Sequence, residues 1–171
     1  IIPPLGIGSG GHINIFRTIH HIHTMGIHNR IYIYGGDKDT PSDVLKKFVK
    51  DNYSFDLEDD EIFADISCMK YTDALIATSW VTAYVANSFN NTVSKFYFIQ
   101  DFEPFFYEVG SEYALAENTY KFGFRGITAG DWLAKKCHDE YGMETRSFGF
   151  SYDNTYYHER VRDDKKKRVF Y

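Results

Sequence analysis

Gly6-Ile7-Gly8-Ser9-Gly10-Gly11-His12 is the stretch that decides the fold. Upstream, Ile1-Ile2-Pro3-Pro4 reads as the last residues of a strand, because proline cannot donate to a sheet ladder. Downstream, Ile13, Phe16, Ile19 and Ile22 recur at three-residue steps with Ile15 beside them. That spacing predicts a helix, which Gly26 stops in the manner of a C-cap. Strand, glycine turn and helix together open a βα unit. Four glycines in the six residues 6–11 are more than a tight turn requires. Glycine lets the backbone approach a ligand closely, and the N–H groups of a following helix point at an anion.

The rest of the chain repeats the alternation. Arg30 to Tyr34 reads as a strand closed by Gly35-Gly36. Thr40-Pro41-Ser42-Asp43 predicts a helix start with a hydroxyl cap, proline at the first position and acid in the first turn. Val44, Leu45, Phe48 and Val49 supply its apolar face. Asp51, Asp56, Glu58, Asp59, Asp60 and Glu61 make residues 52–61 an expected solvated loop. Strands are expected at Ala74–Thr78, Lys95–Gln100, Gly126–Ala129 and Arg146–Phe150. Helices are expected at Trp80–Ala86, Glu112–Lys121 with Ser111 as cap, and Asp131–Tyr141 stopped by Gly142. Such alternation implies βαβ crossovers, hence an α/β, Rossmann-like fold with a mostly parallel sheet and helices on both faces.

Composition narrows the function. The 171 residues are 43% apolar, 25% charged and 18% aromatic, which excludes disorder for most of the chain. The net charge of −5 excludes a general nucleic-acid surface, which needs a basic face. No apolar run reaches the ~20 residues that cross a bilayer. Two cysteines, Cys68 and Cys137, are too few for a disulfide scaffold and suit a reducing compartment. Both ends are expected to interrupt structure, Ile1-Ile2 as a strand end and Lys165 to Tyr171 as a linker entering a further strand.

In parallel α/β sheets, ligands bind beyond the carboxyl ends of the strands. The glycine loop is one such segment. Its literal G-x-G-x-x-G (Gly6, Gly8, Gly11) also invites a dinucleotide reading, for which Asp37 is the candidate ribose ligand, placed somewhat late. A second segment is Gln100-Asp101-Phe102-Glu103-Pro104-Phe105-Phe106-Tyr107, two carboxylates among four aromatics after the clearest strand. Aromatic faces stack on sugar rings and carboxylates bind hydroxyls. Acids at alternate positions would share one face if the backbone stays extended, with Phe102 on the other. A metal site at His20 and His23 lacks further ligands in its helix. His12 differs, standing at the helix start against the loop.

Gly8-Ser9-Gly10-Gly11-His12 with Ile15-Phe16-Arg17 resembles the opening of GT-B glycosyltransferases. Phe98 to Tyr107, Gly110-Ser111-Glu112-Tyr113-Ala114-Leu115-Ala116 and Gly126-Ile127-Thr128-Ala129-Gly130-Asp131-Trp132-Leu133 narrow the resemblance to bacterial rhamnosyltransferases of retaining family 4. The resemblance implies two Rossmann-like domains about a cleft. Residues 1–163 would form the acceptor-side domain and 164–171 the linker and first strand of a donor-binding domain, leaving this chain inactive alone. It implies transfer of a sugar, rhamnose, from a nucleoside-diphosphate sugar to a glycan or lipid-linked glycan acceptor in cell-surface polysaccharide assembly. Ser9, Gly10 and Gly11 would bind the donor diphosphate. Asp101, Glu103 and His12 would serve the reaction, and Gln100, Phe102, Phe105, Phe106 and Tyr107 the acceptor. No cofactor or metal is expected, and no D-x-D donor-metal motif. The implied location is the cytoplasm at the inner membrane face, with peripheral membrane association and no nucleic acid. An oxidoreductase domain binding NAD(P) and a non-catalytic carbohydrate-binding module are the alternatives.

Overall fold

A computed structural model describes residues 1–57 and 59–149. The expected linker and strand at 164–171 lie outside these residues, as does the end of the strand expected to reach Phe150. In chain order the elements are α1 (Gly10–Thr24), β1 (Arg30–Tyr32), α2 (Ser42–Tyr53), β2 (Glu61–Phe63), β3 (Thr72–Ala77), α3 (Trp80–Ser88), β4 (Thr92–Ile99), α4 (Ser111–Asn118), β5 (Arg125–Ala129), α5 (Asp131–Tyr141) and β6 (Thr145–Phe148). Short 3-10 turns cover Ile66–Cys68, Glu103–Phe106 and Thr119–Lys121. The alternation of strand and helix thus holds, and every strand pairing is parallel.

The strands form a two-stranded sheet, β1-β2, and a four-stranded sheet, β3-β4-β5-β6. Ile1 and Ile2 lie between them. On one side Ile2 bridges Ile33, with its N–H donating to the Tyr32 carbonyl at 2.9 Å and its carbonyl accepting from Tyr34 N–H at 2.9 Å. On the other, Ile1 N donates to the Ile76 carbonyl at 2.6 Å and the Thr78 hydroxyl donates to the Ile1 carbonyl at 3.0 Å. The spatial order is therefore β2-β1-(Ile1–Ile2)-β3-β4-β5-β6. The order reverses between Ile1–Ile2 and β3, which makes that gap the crevice where a doubly wound sheet binds its ligand.

Strand alternation sends side chains to two apolar layers. One joins α1 and α2 to Phe98, Ile76, Ile127 and Phe148 through Ile15, Phe16, Leu45 and Val49. The other joins α3 and α5 to Tyr97, Ile99, Leu75 and Ala77 through Ala83, Ala86, Leu133 and Cys137. Helices therefore cover both faces. Strand β4 is buried on both faces at its carboxyl end, where Tyr97, Phe98 and Ile99 are consecutive core residues.

Three local expectations need correction. Helix α2 begins at Ser42, with Pro41 as its cap residue and no side-chain cap bond, and Val44 is 51% exposed. Its core face is Leu45, Phe48, Val49 and Tyr53. Helix α4 ends at Asn118 and tightens into a 3-10 turn, with Gly110 rather than Ser111 as cap. The acidic stretch 52–61 is not all solvated. Leu57 and Asp60 are 4% and 2% exposed, and Glu61 starts β2. Asp60 accepts from the Asn29 backbone N–H at 2.8 Å and pairs with His23 Nδ1 at 3.2 Å. The density of acids hides this inward turn, because the sequence does not show that the entry to β1 leaves an amide needing an acceptor.

Asp60→Ala strands those donors beneath the surface. It should lower stability by about 1–3 kcal/mol, with Asp60→Asn milder because one acceptor oxygen survives. Urea midpoints of the two variants check this.

Candidate functional site

The crevice is built from two segments joined by one side chain. Ser9 caps α1, its hydroxyl accepting from His12 N–H at 3.3 Å. Gly8 sits at φ +71°, a left-handed turn that a β-carbon disfavours, and it swings the chain into the helix. Gln100, one residue past β4, donates from Nε2 to the Gly11 carbonyl at 3.2 Å and accepts from Asn14 Nδ2 at 3.1 Å. The carboxyl end of β4 is thereby fixed against the first turn of α1.

The first turn of α1 carries no acidic residue, and among the described residues nothing accepts from the amides of Gly10 and Gly11. Gly10 is exposed, and a β-carbon built there meets nothing within 4 Å. The helix end presents its partial positive charge to open space, which suits an anion. Gly11 is different. Its β-carbon would lie 3.4 Å from Gln100 Nε2, an ordinary contact, and its φ is not positive. Conformational freedom is needed at Gly8 and open space at Gly10.

His12 does not line the open side. It is 6% exposed, stacked on Tyr53 with ring centroids 5.7 Å apart. Its Nδ1 lies 2.8 Å from the Ser9 hydroxyl and its Nε2 lies 3.4 Å from the Pro3 carbonyl. Burial lowers its pKa, opposed by the Pro3 contact. A neutral ring donating from Nε2 and accepting from Ser9 at Nδ1 satisfies both bonds. His12 caps and supports the loop from beneath.

The second segment turns sharply after Gln100. Asp101 is exposed, and its carboxylate accepts the Phe102 N–H at 2.7 Å. The backbone then enters the 3-10 turn Glu103–Phe106, so the extended geometry expected for positions 101 and 103 does not occur. Glu103 turns inward. One carboxylate oxygen accepts the Trp80 N–H at 2.9 Å, capping α3, and the other accepts the Tyr97 hydroxyl at 2.8 Å. The Tyr120 hydroxyl accepts the Glu103 backbone N–H at 3.1 Å. Burial raises the Glu103 pKa, while the Trp80 and Tyr97 bonds oppose the shift. Phe102 is 1% exposed and packs in the core with Glu103's partners, not opposite them. It supports Phe105 edge-on at 4.7 Å.

Phe105 and Phe106 are each 63% exposed, and the Tyr107 hydroxyl accepts from Trp80 Nε1 at 2.8 Å. Trp80, which the sequence reading left out of the site, joins this rim through that bond, and a second exposed tryptophan stands at another strand end. Trp80 is the first residue of α3, and Trp132, 61% exposed, is the second residue of α5. Both follow strand ends directly, and that position was the signal available in the sequence.

Other candidates stay apart. Asp37 accepts the Asp39 N–H at 3.2 Å in an exposed turn. Asp37-Lys38-Asp39 does spell D-x-D, which corrects the expectation that no such string occurs. His20 packs on Phe55 and His23 pairs with Asp60. Among the described residues no three His, Cys, Asp or Glu side chains are grouped to hold a metal, and no helix is long and apolar enough to cross a membrane. Cys68 is exposed and Cys137 is buried, both as free thiols. Two depressions of about 480 and 360 Å³ are lined by no residue of the glycine loop or of 100–107.

Comparison with known proteins agrees with a glycosyltransferase-like domain. Over 96 residues the chain is 35% identical to the O-antigen biosynthesis protein RfbC of Myxococcus xanthus. That stretch is 56% of this chain and 8% of that relative, so the chain spans a small part of the relative's length. Residues 8–129 match the family described as WsaF, N-terminal domain, and they include the glycine loop from Gly8 onward, Gln100 and the 3-10 aromatic turn. The chain belongs to the WsaF N-terminal domain family.

Proposed function

We propose that this chain is the acceptor-side half of a GT-B glycosyltransferase of the retaining family 4 type. It would serve transfer of a sugar, rhamnose, from a nucleoside-diphosphate donor to a glycan or lipid-linked glycan during cell-surface polysaccharide assembly. The work would take place in the cytoplasm at the inner membrane face. The observation that carries this reading is the pair of amides at Gly10 and Gly11 that no described residue accepts from, at the helix start tied to the carboxyl end of β4. The family match and the name of the bacterial relative support a role in polysaccharide assembly.

In the proposed reaction the bond between the sugar's anomeric carbon and the diphosphate oxygen breaks. Negative charge develops on that oxygen. Gly10 and Gly11 N–H stabilise it in a fixed orientation, so little reorganisation is needed at the moment of reaction. The acceptor hydroxyl attacks from the leaving-group face, and the departing phosphate takes its proton. The remaining charge on the diphosphate is met by basic side chains of a second domain, without a metal.

In this reading the candidate residues divide by task. Ser9, Gly10 and Gly11 hold the donor. Asp101, exposed beside the loop, orients an acceptor hydroxyl. Phe105, Phe106 and Tyr107 offer ring faces to the acceptor, with Phe102 beneath them. Glu103 and His12 act through the residues they hold. Gln100 has both ends of its amide engaged and fixes the loop in place.

Gly10→Val fills the open space while sparing the fold, since nothing lies within 4 Å of its β-carbon. Turnover in the complete protein should fall at least about 100-fold, the scale of a lost charge-stabilising donor. Gly11→Ala, at ordinary contact distance, should keep most activity. Release of nucleoside diphosphate from sugar nucleotides measures both. Near-normal turnover of Gly10→Val would remove the loop from the mechanism.

Glu103→Gln leaves either Trp80 N–H or Tyr97 OH without its acceptor and should cost about 1–3 kcal/mol in stability. The variant also changes the pH profile. The folded pKa of Glu103 lies above its ordinary value of 4.5, so protonation favours the fold. That contribution is full below pH 4.5 and is lost as pH rises through the folded value. The stability difference between wild type and Glu103→Gln should therefore shift across this window, and denaturation midpoints at several pH values measure it.

A further inference from the structure

We propose that Tyr53 is the positioning residue of the glycine loop, holding Gly6 by both of its backbone groups and so fixing where the Gly10 and Gly11 amides point. This rests on the donor-loop reading above. Tyr53 is the last residue of α2 and is 4% exposed. Its hydroxyl donates to the Gly6 carbonyl at 2.7 Å and accepts the Gly6 N–H at 3.1 Å. A single oxygen thus closes on one residue from a helix 47 positions away in sequence. The Gly6 carbonyl also accepts the Ser9 N–H at 3.4 Å, so the same contact reaches the cap of α1.

The ring is held as firmly as the hydroxyl. It stacks on Phe16 at 5.2 Å and on His12 at 5.7 Å, the latter nearly parallel at 5°. Phe48 meets it edge-on at 6.1 Å. Ser54 follows at φ +63° and ends the helix, so α2 stops where the tyrosine reaches the loop. Burial raises the Tyr53 pKa, against the lowering effect of its bond to Gly6. The loop is then pinned at its start by Tyr53, at its middle by Ser9 with His12, and at its end by Gln100. Ile7, between these pins, is 82% exposed and adds no packing of its own.

Gly6 is only partly buried, so water can replace the tyrosine hydroxyl when it is removed. The cost of Tyr53→Phe is then local order in the loop, with the ring stacking retained. This separates positioning from mere stability. Val49, fully buried four residues earlier on the same helix and unable to hydrogen-bond the loop, supplies the contrast.

The test compares Tyr53→Phe and Val49→Ala with wild type in the complete protein. Loop exchange, read at the Ser9 amide that bonds the Gly6 carbonyl held by Tyr53, should rise about 2- to 10-fold in Tyr53→Phe, the equivalent of one hydrogen bond. Val49→Ala should lower the unfolding midpoint more, yet leave loop exchange at the wild-type rate. Turnover of a deoxythymidine-diphosphate sugar and of a uridine-diphosphate sugar should show kcat falling in Tyr53→Phe with KM little changed. Loop exchange in Tyr53→Phe equal to wild type overturns the proposal. Equal rises in both variants also overturn it, by making the effect one of general stability. Raised loop exchange in Tyr53→Phe alone with unaltered kcat supports the clamp and overturns the donor-loop reading instead.

Discussion

One amide side chain ties the two halves of the crevice together. Gln100 uses its Nε2 on the Gly11 carbonyl and its Oε1 on Asn14, so the end of β4 and the start of α1 cannot move independently. Strand β4 is the longest of the described strands and lies between β3 and β5. Its position is set by both apolar layers, and Gln100 passes that position to the glycine loop. A helix start at a strand end is common to many doubly wound sheets. Here it becomes a specific site because the loop is pinned to the strand that also launches the acidic and aromatic turn.

Polar groups near the crevice are consistently spent on positioning. Glu103 holds α3 to the 3-10 turn, and Tyr53 and His12 hold the loop from below. None of the described residues leaves a buried side-chain polar atom unpartnered. An unpaired buried group costs about 1–3 kcal/mol, so an acid at a strand end must either reach solvent or find donors. Asp101 takes the first course and Glu103 the second. That division also explains why the residues left facing outward are few: two glycine amides, one carboxylate and a rim of rings. The same donors that satisfy Glu103 remove it from the open side. The stack of Tyr53 on His12 does the same for the histidine.

The glycine loop, the stripe of α1 and the run of β4 were legible because each is a local pattern with one physical solution. A three-residue apolar step fits a helix face, and an unbroken apolar run bounded by polar residues fits a strand covered on both sides. Helix α5 shows the same, starting at Asp131 and ending at Gly142, which takes the left-handed conformation. What was not legible depended on partners far along the chain. Glu103 and Asp101 look alike two residues apart, and only Trp80 and Tyr97 distinguish them. Asp60 looks like one more acid in a solvated run until Asn29 claims it. Strand β2 was hidden in that run for the same reason, since a three-residue strand shows little pattern of its own.

The sequence by itself therefore determined the alternating α/β architecture, the glycine turn before α1 and the segments that follow the strands. Those features follow from backbone freedom and apolar spacing, which act over a few residues. Tertiary structure alone decided which polar side chains face the crevice. Each carboxylate, hydroxyl and imidazole goes where donors and acceptors from distant segments meet it, and those meetings exist only once the two layers have packed around β4.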